Sequence, residues 1–479
     1  MADRAGLMAR IGEMAEAIRE EAGKNSSFLV ITHFDADGLG AGAIICKALM
    51  RLAAPFHLRI AQGLDEEILG EASRSRYGVV IFNEIGSGYL DLIGEIDFRG
   101  KKVMIIDHHQ VAGDLPEGVM HLNPHEHGFD GSREISGSGI AFLLSKSIDE
   151  ANRDLAPLAV VGALGDMQDG GPRRSLVSLN DEIAQFAASI GSLEIREDLI
   201  LHGRETRPIH RALAQTTSPF LPGLTGEEDR CLDLLASAGI KVKEDDRWRV
   251  LADLDEDEKQ RLLSNIIKHL SSKGIGGELA LELVGKVYTL SRERRWTPLR
   301  DGREYASLLN ACGRMERPGL GISICMGDRG AALDEANRTL AEYRRSLAQC
   351  MSEIYSNPSR VRALREIFVI LGEGLIDEGM TGAVSSMLSS SGAFDSKKVI
   401  VVSTMTKKGE FKISARLLGG ARGLGINLGS ILKELSAKYS GQGGGHDVAA
   451  GAQIKAEFAE EFLRSLDEEL CKAAGAHAS

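Results

Sequence analysis

FLVITHFDADGLGAGAIICKALMRL, residues 28–52, runs from a short β-favouring stretch through an acidic turn into a helical pattern. The first six residues, FLVITH (28–33), are almost wholly apolar and bounded by polar residues, as a strand buried on both faces requires. GLGAGAIICKALMRL (38–52) then places apolar residues at helical spacing. The same strand pattern returns at VVIFN (79–83) and KVMIID (102–107), and the helical one at GSGIAFLLSKSIDEANR (137–153). From residue 24 to about 190 the chain therefore predicts an α/β domain built on a parallel, doubly wound sheet. In such a sheet the chemistry sits beyond the carboxyl ends of the strands.

The 479 residues suffice for two or three domains, and 43% hydrophobic with 26% charged residues is a globular composition. A net charge of -12 excludes a global basic field, so any nucleic-acid binding must rest on local basic patches and metal ions. No stretch approaches twenty apolar residues, and the first helical segment is charged throughout. Neither a signal peptide nor a membrane span is expected, and a cytoplasmic location is. Cys46, Cys231, Cys312, Cys325, Cys350 and Cys471 lack C-x-x-C spacing and read as reduced thiols.

Around Pro219, Pro222 and Gly226 the pattern changes. Two charged amphipathic helices, near EEDRCLDLLASAG and DEDEKQRLLSNIIKHL, are expected with a short strand WRVLADL between them and no reactive cluster. The expected organisation is a first domain over 1–225, an inserted helical module over 226–290, and a return segment over 291–330. A connecting helix follows over 331–357, ended by Asn357-Pro358. The last part, 358–479, is a smaller α/β domain with strands IFVIL (367–371), KVIVVST (398–404) and EFKISARLL (410–418) and a glycine-rich GQGGGH (441–446). The basic run SRERRW (291–296) reads as a solvated face on which Trp296 offers one stacking surface.

Four predicted strand-end clusters carry acid and imidazole groups. They are His33, Asp35 and Asp37; Asn83-Glu84 before Gly86-Ser87-Gly88; Asp107-His108-His109; and Asp166, with Asp169 just after. Alone, an Asp-x-Asp-Gly is often a turn or helix cap, and a His-His pair a surface pair. Four in this order at strand ends argue for a site. Carboxylates from separate strands with one or two imidazoles suit a pair of Mn²⁺-like ions, which about 4 Å apart can share a bridging carboxylate and clamp a phosphodiester.

HFDADG, FNEIGSG, IIDHH and GALGD resemble the four signatures of the DHH phosphoesterases. GQGGGHDVAAGA resembles the glycine-rich signature of the DHH-associated C-terminal domain. LHGRETRPIH (201–210) and LLNACGRM (308–315) look like the archaeal RecJ relatives, among them the nuclease that binds the GINS complex of the replisome. The resemblance covers 24–215 and 300–460. It implies that Asp35, Asp37, His108 and Asp166 ligate metal, with His33 a further ligand and Glu84 where the family usually has a bridging Asp. It places His109 against the scissile phosphate, with Asp107 supporting the ligand histidines. Ser136-Gly137-Ser138-Gly139 would seat a phosphate on backbone N–H groups. Asn123-Pro124 matches the family's Asn-Pro. Arg416, Gly443, Gly444, Gly445 and His446 would hold the nucleotide next to the cleaved one. Arg204, Arg207 and Arg314 read either as phosphate contacts or as solvated or structural arginines.

The resemblance implies a metal-dependent exonuclease that cuts single-stranded DNA or RNA from an end in a cleft between its two domains. Two Mn²⁺ ions, with Mg²⁺ as the alternative, would serve it, and the insert would bind GINS beside the archaeal replisome. A phosphodiesterase for short oligonucleotides or cyclic dinucleotides shares the metal set. So does, in degenerate form, the eukaryotic replicative-helicase activator, a scaffold beside GINS. The departure at Glu84, one methylene longer than Asp, bears on which of these applies.

Overall fold

The computed structural model describes residues 2–216, 219–391, 393–394, 398–421 and 425–475, which divide into two compact units, Met1–Leu340 and Ala341–Ser479. In the first unit α1 (Arg4–Gly23) precedes β1 (Phe28–His33), α2 (Ala36–Arg51), β2 (Phe56–Ala61), α3 (Glu66–Arg74), β3 (Val79–Asn83), α4 (Leu90–Gly94), β4 (Lys102–Ile106) and β5 (Val119–Leu122). The five strands form one sheet in the order β2-β1-β3-β4-β5, and every pairing is parallel. The fold class is α/β, as the alternation of strand and helix predicts. The strand order reverses between β1 and β3. At such a switch point the loops diverge and leave a crevice at the carboxyl ends of the strands.

β1, β3 and β4 coincide with the apolar runs read from the sequence because their side chains are buried on both faces. β2, FHLRIA, is an edge strand with partly exposed side chains, so it lacks that signal. The expected helix 137–153 ends earlier, as α5 (Gly137–Ile148), because Asp149 turns extended and caps a short 3₁₀ segment with its carboxylate. α6 (Ala156–Gly165) and α7 (Ser178–Ser189) follow.

β6 (Leu193–Leu199) pairs antiparallel with β9 (Val284–Leu290), and Leu199 lies opposite Val284. Between them lie α8 (Ile209–Ala214), α9 (Glu228–Ser237), the two-residue strands β7 (Lys243–Glu244) and β8 (Arg247–Trp248), α10 (Glu256–Ser272) and α11 (Glu278–Leu281). The four helices share one apolar cluster that runs from Leu199 and Leu201 through Leu235, Leu251 and Leu262 to Leu283. Packing thus draws the insert from about 200 to 283, starting well before residue 226 and stopping short of 290. WRVLADL is not a continuous strand. After Trp248 the chain turns, because Asp253 accepts the Val250 N–H and holds Leu251–Asp253 as a 3₁₀ turn. α10 opens on a capping box, Asp255 and Glu258 satisfying each other's N–H groups.

α12 (Gly302–Arg314) and α13 (Pro318–Met326) return to the first unit, and α14 (Ala331–Ser356) leads into the second. There β10 (Val361–Ala363), β11 (Ile367–Leu371), α15 (Thr381–Ser390), β12 (Val399–Met405), β13 (Glu410–Leu417), α16 (Leu428–Lys438), β14 (Gln442–Gly445), β15 (Ala449–Lys455) and α17 (Ala459–Gly475) form a mixed six-stranded sheet with helices. Its strand order is β10-β11-β12-β13-β15-β14, and only β11–β12 is parallel. Among the described residues no helix is long and apolar enough to cross a membrane.

Candidate metal centre

The switch point collects the acidic and imidazole side chains. β1 ends on His33. Asp35 caps α2 by accepting the Gly38 N–H at 2.9 Å, and Asp37 stands in the first turn of that helix. Glu84 follows β3 in the left-handed region (φ 59), where a residue other than glycine is held at a cost of order 1–3 kcal/mol. Its N–H donates to the Ile106 carbonyl, which ties the start of the β3–α4 connection to the end of β4. His108 and His109 follow β4, and Asp166 terminates α6.

Three sets of donor atoms converge here: His33, Asp35 and Glu84; Glu84, His108 and His109; and Asp37, His108 and Asp166. His33 Nδ1 lies 3.2 Å from both Asp35 Oδ2 and Glu84 Oε2. His108 Nε2 lies 3.5 Å from Glu84 Oε1 and 3.6 Å from Asp37 Oδ2, and His109 Nε2 lies 3.9 Å from Glu84 Oε1. The two oxygens of Glu84 therefore face different donor sets, as in a carboxylate shared by two cations. The extra methylene of Glu over Asp is taken up within the turn, and Gly137 makes room for it: a Cβ on Gly137 would lie 2.3 Å from Glu84 Cγ.

Electrostatics argue that these side chains are arranged for cations. Asp37 and Glu84 are buried, and no lysine or arginine pairs with either among the described residues. Burial pushes the Asp166 carboxyl up to about 7 and raises that of Asp37 as well. Burial opposes charging His33, yet Asp35 and Glu84 hold its imidazole well above the usual range. His108 is likewise raised against its burial, by Glu84, Asp166 and Asp37. Asp35 is lowered despite burial, chiefly by His33. His33 Nδ1, Glu84 Oε2 and His108 Nε2 are buried and have no hydrogen-bond partner among the described residues. Buried polar atoms are costly unless satisfied, and these three point into one small volume. The carboxylate oxygens suit Mn²⁺ or Mg²⁺, and the imidazole nitrogens among them favour the transition metal Mn²⁺. His33, Asp35, Asp37, Glu84, His108 and Asp166 are the residues that could hold such ions.

Asp107 is buried and supports the neighbouring turn. Its Oδ1 takes His109 Nδ1 at 2.8 Å and the His108 N–H, and its Oδ2 takes the Ser87 N–H. It is held below the ordinary range against burial, by His109 first. Asp107 orients only the His109 ring; the His108 ring is fixed by the Gly131 carbonyl, 2.7 Å from Nδ1. The His109 side chain is 43% exposed, and its Nε2 faces Glu84 Oε1 at 3.9 Å. Asn123 donates to Ser87 Oγ and to the His109 carbonyl, which ties the Asn-Pro segment to this turn.

One expectation is corrected, and Arg204 takes the second of its two readings. Ser136 and Gly137 do not offer a phosphate seat: the Gly137 and Ser138 N–H groups donate to Asp37 at 2.7 and 2.9 Å, and Ser136 Oγ caps Gly139. The helix N-terminus holds a protein carboxylate, which satisfies the same donors. Arg204 is a structural arginine, ion-paired to the buried Asp198 at 2.5 Å and bonded to the Leu199 carbonyl. Asp169, too, faces arginines, Arg174 and Arg303. Arg207 is partly buried and donates to Gln215, and Arg314 lies partly buried in the last turn of α12.

In the second unit Arg416 of β13 lies opposite Ala449 of β15, and Gly445 of β14 lies opposite Ala450, so both stand at one end of the sheet. The glycines have a packing reason of their own. A Cβ on Gly443 would lie 2.6 Å from the Leu432 carbonyl of α16, and Gly445 adopts φ 140. Exposed His446 closes the turn, its N–H donating to the Ala449 carbonyl.

Sequence reasoning passed over the neutral side chains that hold the site. Asn310 Oδ1 accepts the Ala36 N–H at 3.0 Å, and a Cβ on Gly313 would lie 2.0 Å from the Phe34 carbonyl. LLNACGRM thus backs the loop that carries Asp35 and Asp37. Gln168 and Asn180 act similarly behind Asp166 and are treated below. Amides have no metal-ligand spacing, so only tertiary structure reveals them.

The chain thus combines a five-stranded parallel sheet ordered 2-1-3-4-5 with acidic and imidazole groups gathered at its switch point. The chain belongs to the DHH superfamily and is RecJ-like. The DHH family N-terminal domain matches residues 27–163, the DHH-CID domain 201–284 and the DHHA1 domain 368–472. The chain is 31% identical over 470 residues to an uncharacterized protein of Methanocaldococcus jannaschii, covering 96% of each. It is 23% identical over 192 residues to the single-stranded-DNA-specific exonuclease RecJ of Bacillus subtilis, a match over 38% of this chain and 23% of that one. Among solved structures, CDC45 from Entamoeba histolytica aligns over 96% of this chain and 98% of its own, with TM-score 0.65 and 11% identity. RecJ from Thermus thermophilus in complex with Mn²⁺ aligns over 97% of this chain and 55% of its own, with TM-score 0.58 and 17% identity.

Proposed function

We propose that this protein is an exonuclease that hydrolyses the phosphodiester bonds of single-stranded DNA or RNA from an end, with two divalent cations held by His33, Asp35, Asp37, Glu84, His108 and Asp166. The observation that carries the reading is Glu84, whose two oxygens face separate donor sets at 3.2 and 3.5 Å. Cations bound there supply Lewis acidity toward a phosphodiester and make water easier to deprotonate. The chain's own groups do the rest. Asp107 accepts the Nδ1–H of His109 and, against burial, favours its protonated imidazolium form, whose Nε2–H can donate to a phosphate oxygen. In the second unit Arg416, with Gly443, Gly444, Gly445 and His446, contacts a nucleotide of the single strand, a charge-assisted contact of about 1.5–3 kcal/mol.

A scaffold without catalysis would not need to keep the full donor set, and here it is present. The test is digestion of end-labelled single strands, duplexes and dinucleotides with Mn²⁺, with and without chelator. Stepwise release of mononucleotides from single strands, stopped by chelator, is expected. Cleavage restricted to dinucleotides would favour the small-substrate phosphodiesterase, and no cleavage of any would favour the scaffold.

The reading extends to the insert as a site for GINS, which rests on the sequence resemblance alone. Because Leu199 lies opposite Val284, residues 200–283 can be replaced by a two-residue Asn-Gly turn. Loss of co-purification with GINS and retained cleavage are expected. Lost cleavage with retained binding would reverse the assignment.

A further inference from the structure

Gln168 is buried behind the candidate metal centre, two residues after Asp166. Its amide nitrogen donates to Asp166 Oδ2 at 2.7 Å and to the Gly131 carbonyl at 2.8 Å, and its oxygen accepts Asn180 Nδ2 at 2.6 Å. This orientation is the one the chemistry permits. The Gly131 carbonyl can only accept, so it must meet the NH₂ end, and the ionised Asp166 accepts from the same group. Met167, in the left-handed region at φ 57, turns the chain so that Asp166 and Gln168 meet.

The same Gly131 carbonyl fixes His108 through Nδ1, leaving Nε2 turned toward Asp37 and Glu84. Gly131 must approach this closely: a Cβ there would lie 1.8 Å from the His108 carbonyl oxygen. On its other side, Asn180 accepts the Ser136 N–H at 3.3 Å, at the start of the helix whose next two N–H groups hold Asp37. Asp37, His108 and Asp166, one of the three convergent donor sets, are therefore all fastened to one hydrogen-bonded chain with Gln168 at its centre.

We propose that Gln168 is a positioning residue for the Asp37–His108–Asp166 cation site, aligning Asp166 directly and His108 through the shared Gly131 carbonyl. The inference rests on the reading of this cluster as a metal centre. A neutral amide fits this position because it donates to Asp166 without neutralising the charge needed for a cation. Partners of this kind are worth about 10- to 100-fold in metal affinity.

The proposal is tested by calorimetric titration of the full chain with Mn²⁺, with Mn²⁺ electron paramagnetic resonance, for wild type, Gln168→Met and Gln168→Glu. Gln168→Met removes both donors at similar volume. Gln168→Glu sets a carboxylate against Asp166 and Gly131. Each should weaken one Mn²⁺ step by about 10- to 100-fold and change its resonance, leaving the other step near wild type. If Gln168→Met does not fold, Gln168→Asn keeps the amide but is one methylene too short to span both acceptors, and it should show the same selective loss. A purely structural role would lower the melting temperature and leave both steps intact, which overturns the proposal, as does equal weakening of both. Wild type that binds no Mn²⁺ would sink the metal-centre reading itself, a different result from unchanged binding in the variants.

Discussion

Around the insert, buried or nearly buried carboxylates meet cations: Asp198 pairs with Arg204 and Lys259, Glu258 with Arg249, and Asp253 with Arg247 and Arg295. At the carboxyl ends of β1, β3 and β4, Asp35, Asp37, Glu84 and Asp166 converge with imidazoles as their nearest basic groups. Desolvation penalises both arrangements, and in the insert the protein supplies the compensating charge itself. At the strand ends the compensation comes from bound cations or from protons on the imidazoles and on the carboxyls that burial raises. Unmatched buried acid is thus the physical mark that separates a site from a scaffold within this one chain.

The contrast breaks most sharply under ligand removal. Asp37→Ala and His108→Ala should each abolish cleavage of single strands. The loss should exceed the roughly 10–100-fold that an outer hydrogen-bond partner is worth. Far-UV circular dichroism should stay native, and wild-type rates in either variant would remove the site assignment. Asp198→Ala does the opposite. It leaves the low-exposure Arg204 without its carboxylate and Lys259 with only the exposed Glu256, and should cost about 3–5 kcal/mol in denaturant unfolding while Mn²⁺ binding stays unchanged.

A smaller effect is expected in the second unit. Arg416→Ala should weaken binding of a single-stranded oligonucleotide by about 1–3 kcal/mol with the metal content unaltered. Unchanged affinity would leave the glycine run with only its packing role against α16. The smallest belongs to Trp296, half exposed, with the guanidinium groups of Arg247 and Arg295 at 4.5 and 5.2 Å from its ring. Trp296→Ala should cost about 0.5–1 kcal/mol of stability. A fall in oligonucleotide affinity would support its reading as a stacking surface.

The same contrast explains what the sequence made legible. The buried strands β1, β3 and β4 stand out as unbroken apolar runs, and acid or imidazole groups at their ends mark the chemistry. β6, LEIREDL, carries four charges in seven residues on a two-stranded ribbon, so it gives no buried-strand signal, and without it and its partner β9 the expected insert begins too late. The phosphate seat at Ser136–Gly139 failed for a local reason: N–H groups that suit a phosphate suit Asp37 equally well, and a carboxylate 100 residues away cannot be placed from sequence. Gln168, Asn180 and Asn310 stayed hidden because a buried amide acts through its partners, which only the fold brings to it.

Glu84 tests the central claim most directly. Mn²⁺ content and exonuclease rate should be measured side by side for wild type, Glu84→Gln and Glu84→Asp. Glu84→Gln removes a full negative charge from between the two donor sets, so both quantities should fall sharply. Glu84→Asp, which keeps the charge, should retain bound metal and cleavage. Two Mn²⁺ ions and a wild-type rate in Glu84→Gln would contradict the account and pass the bridging role to another carboxylate.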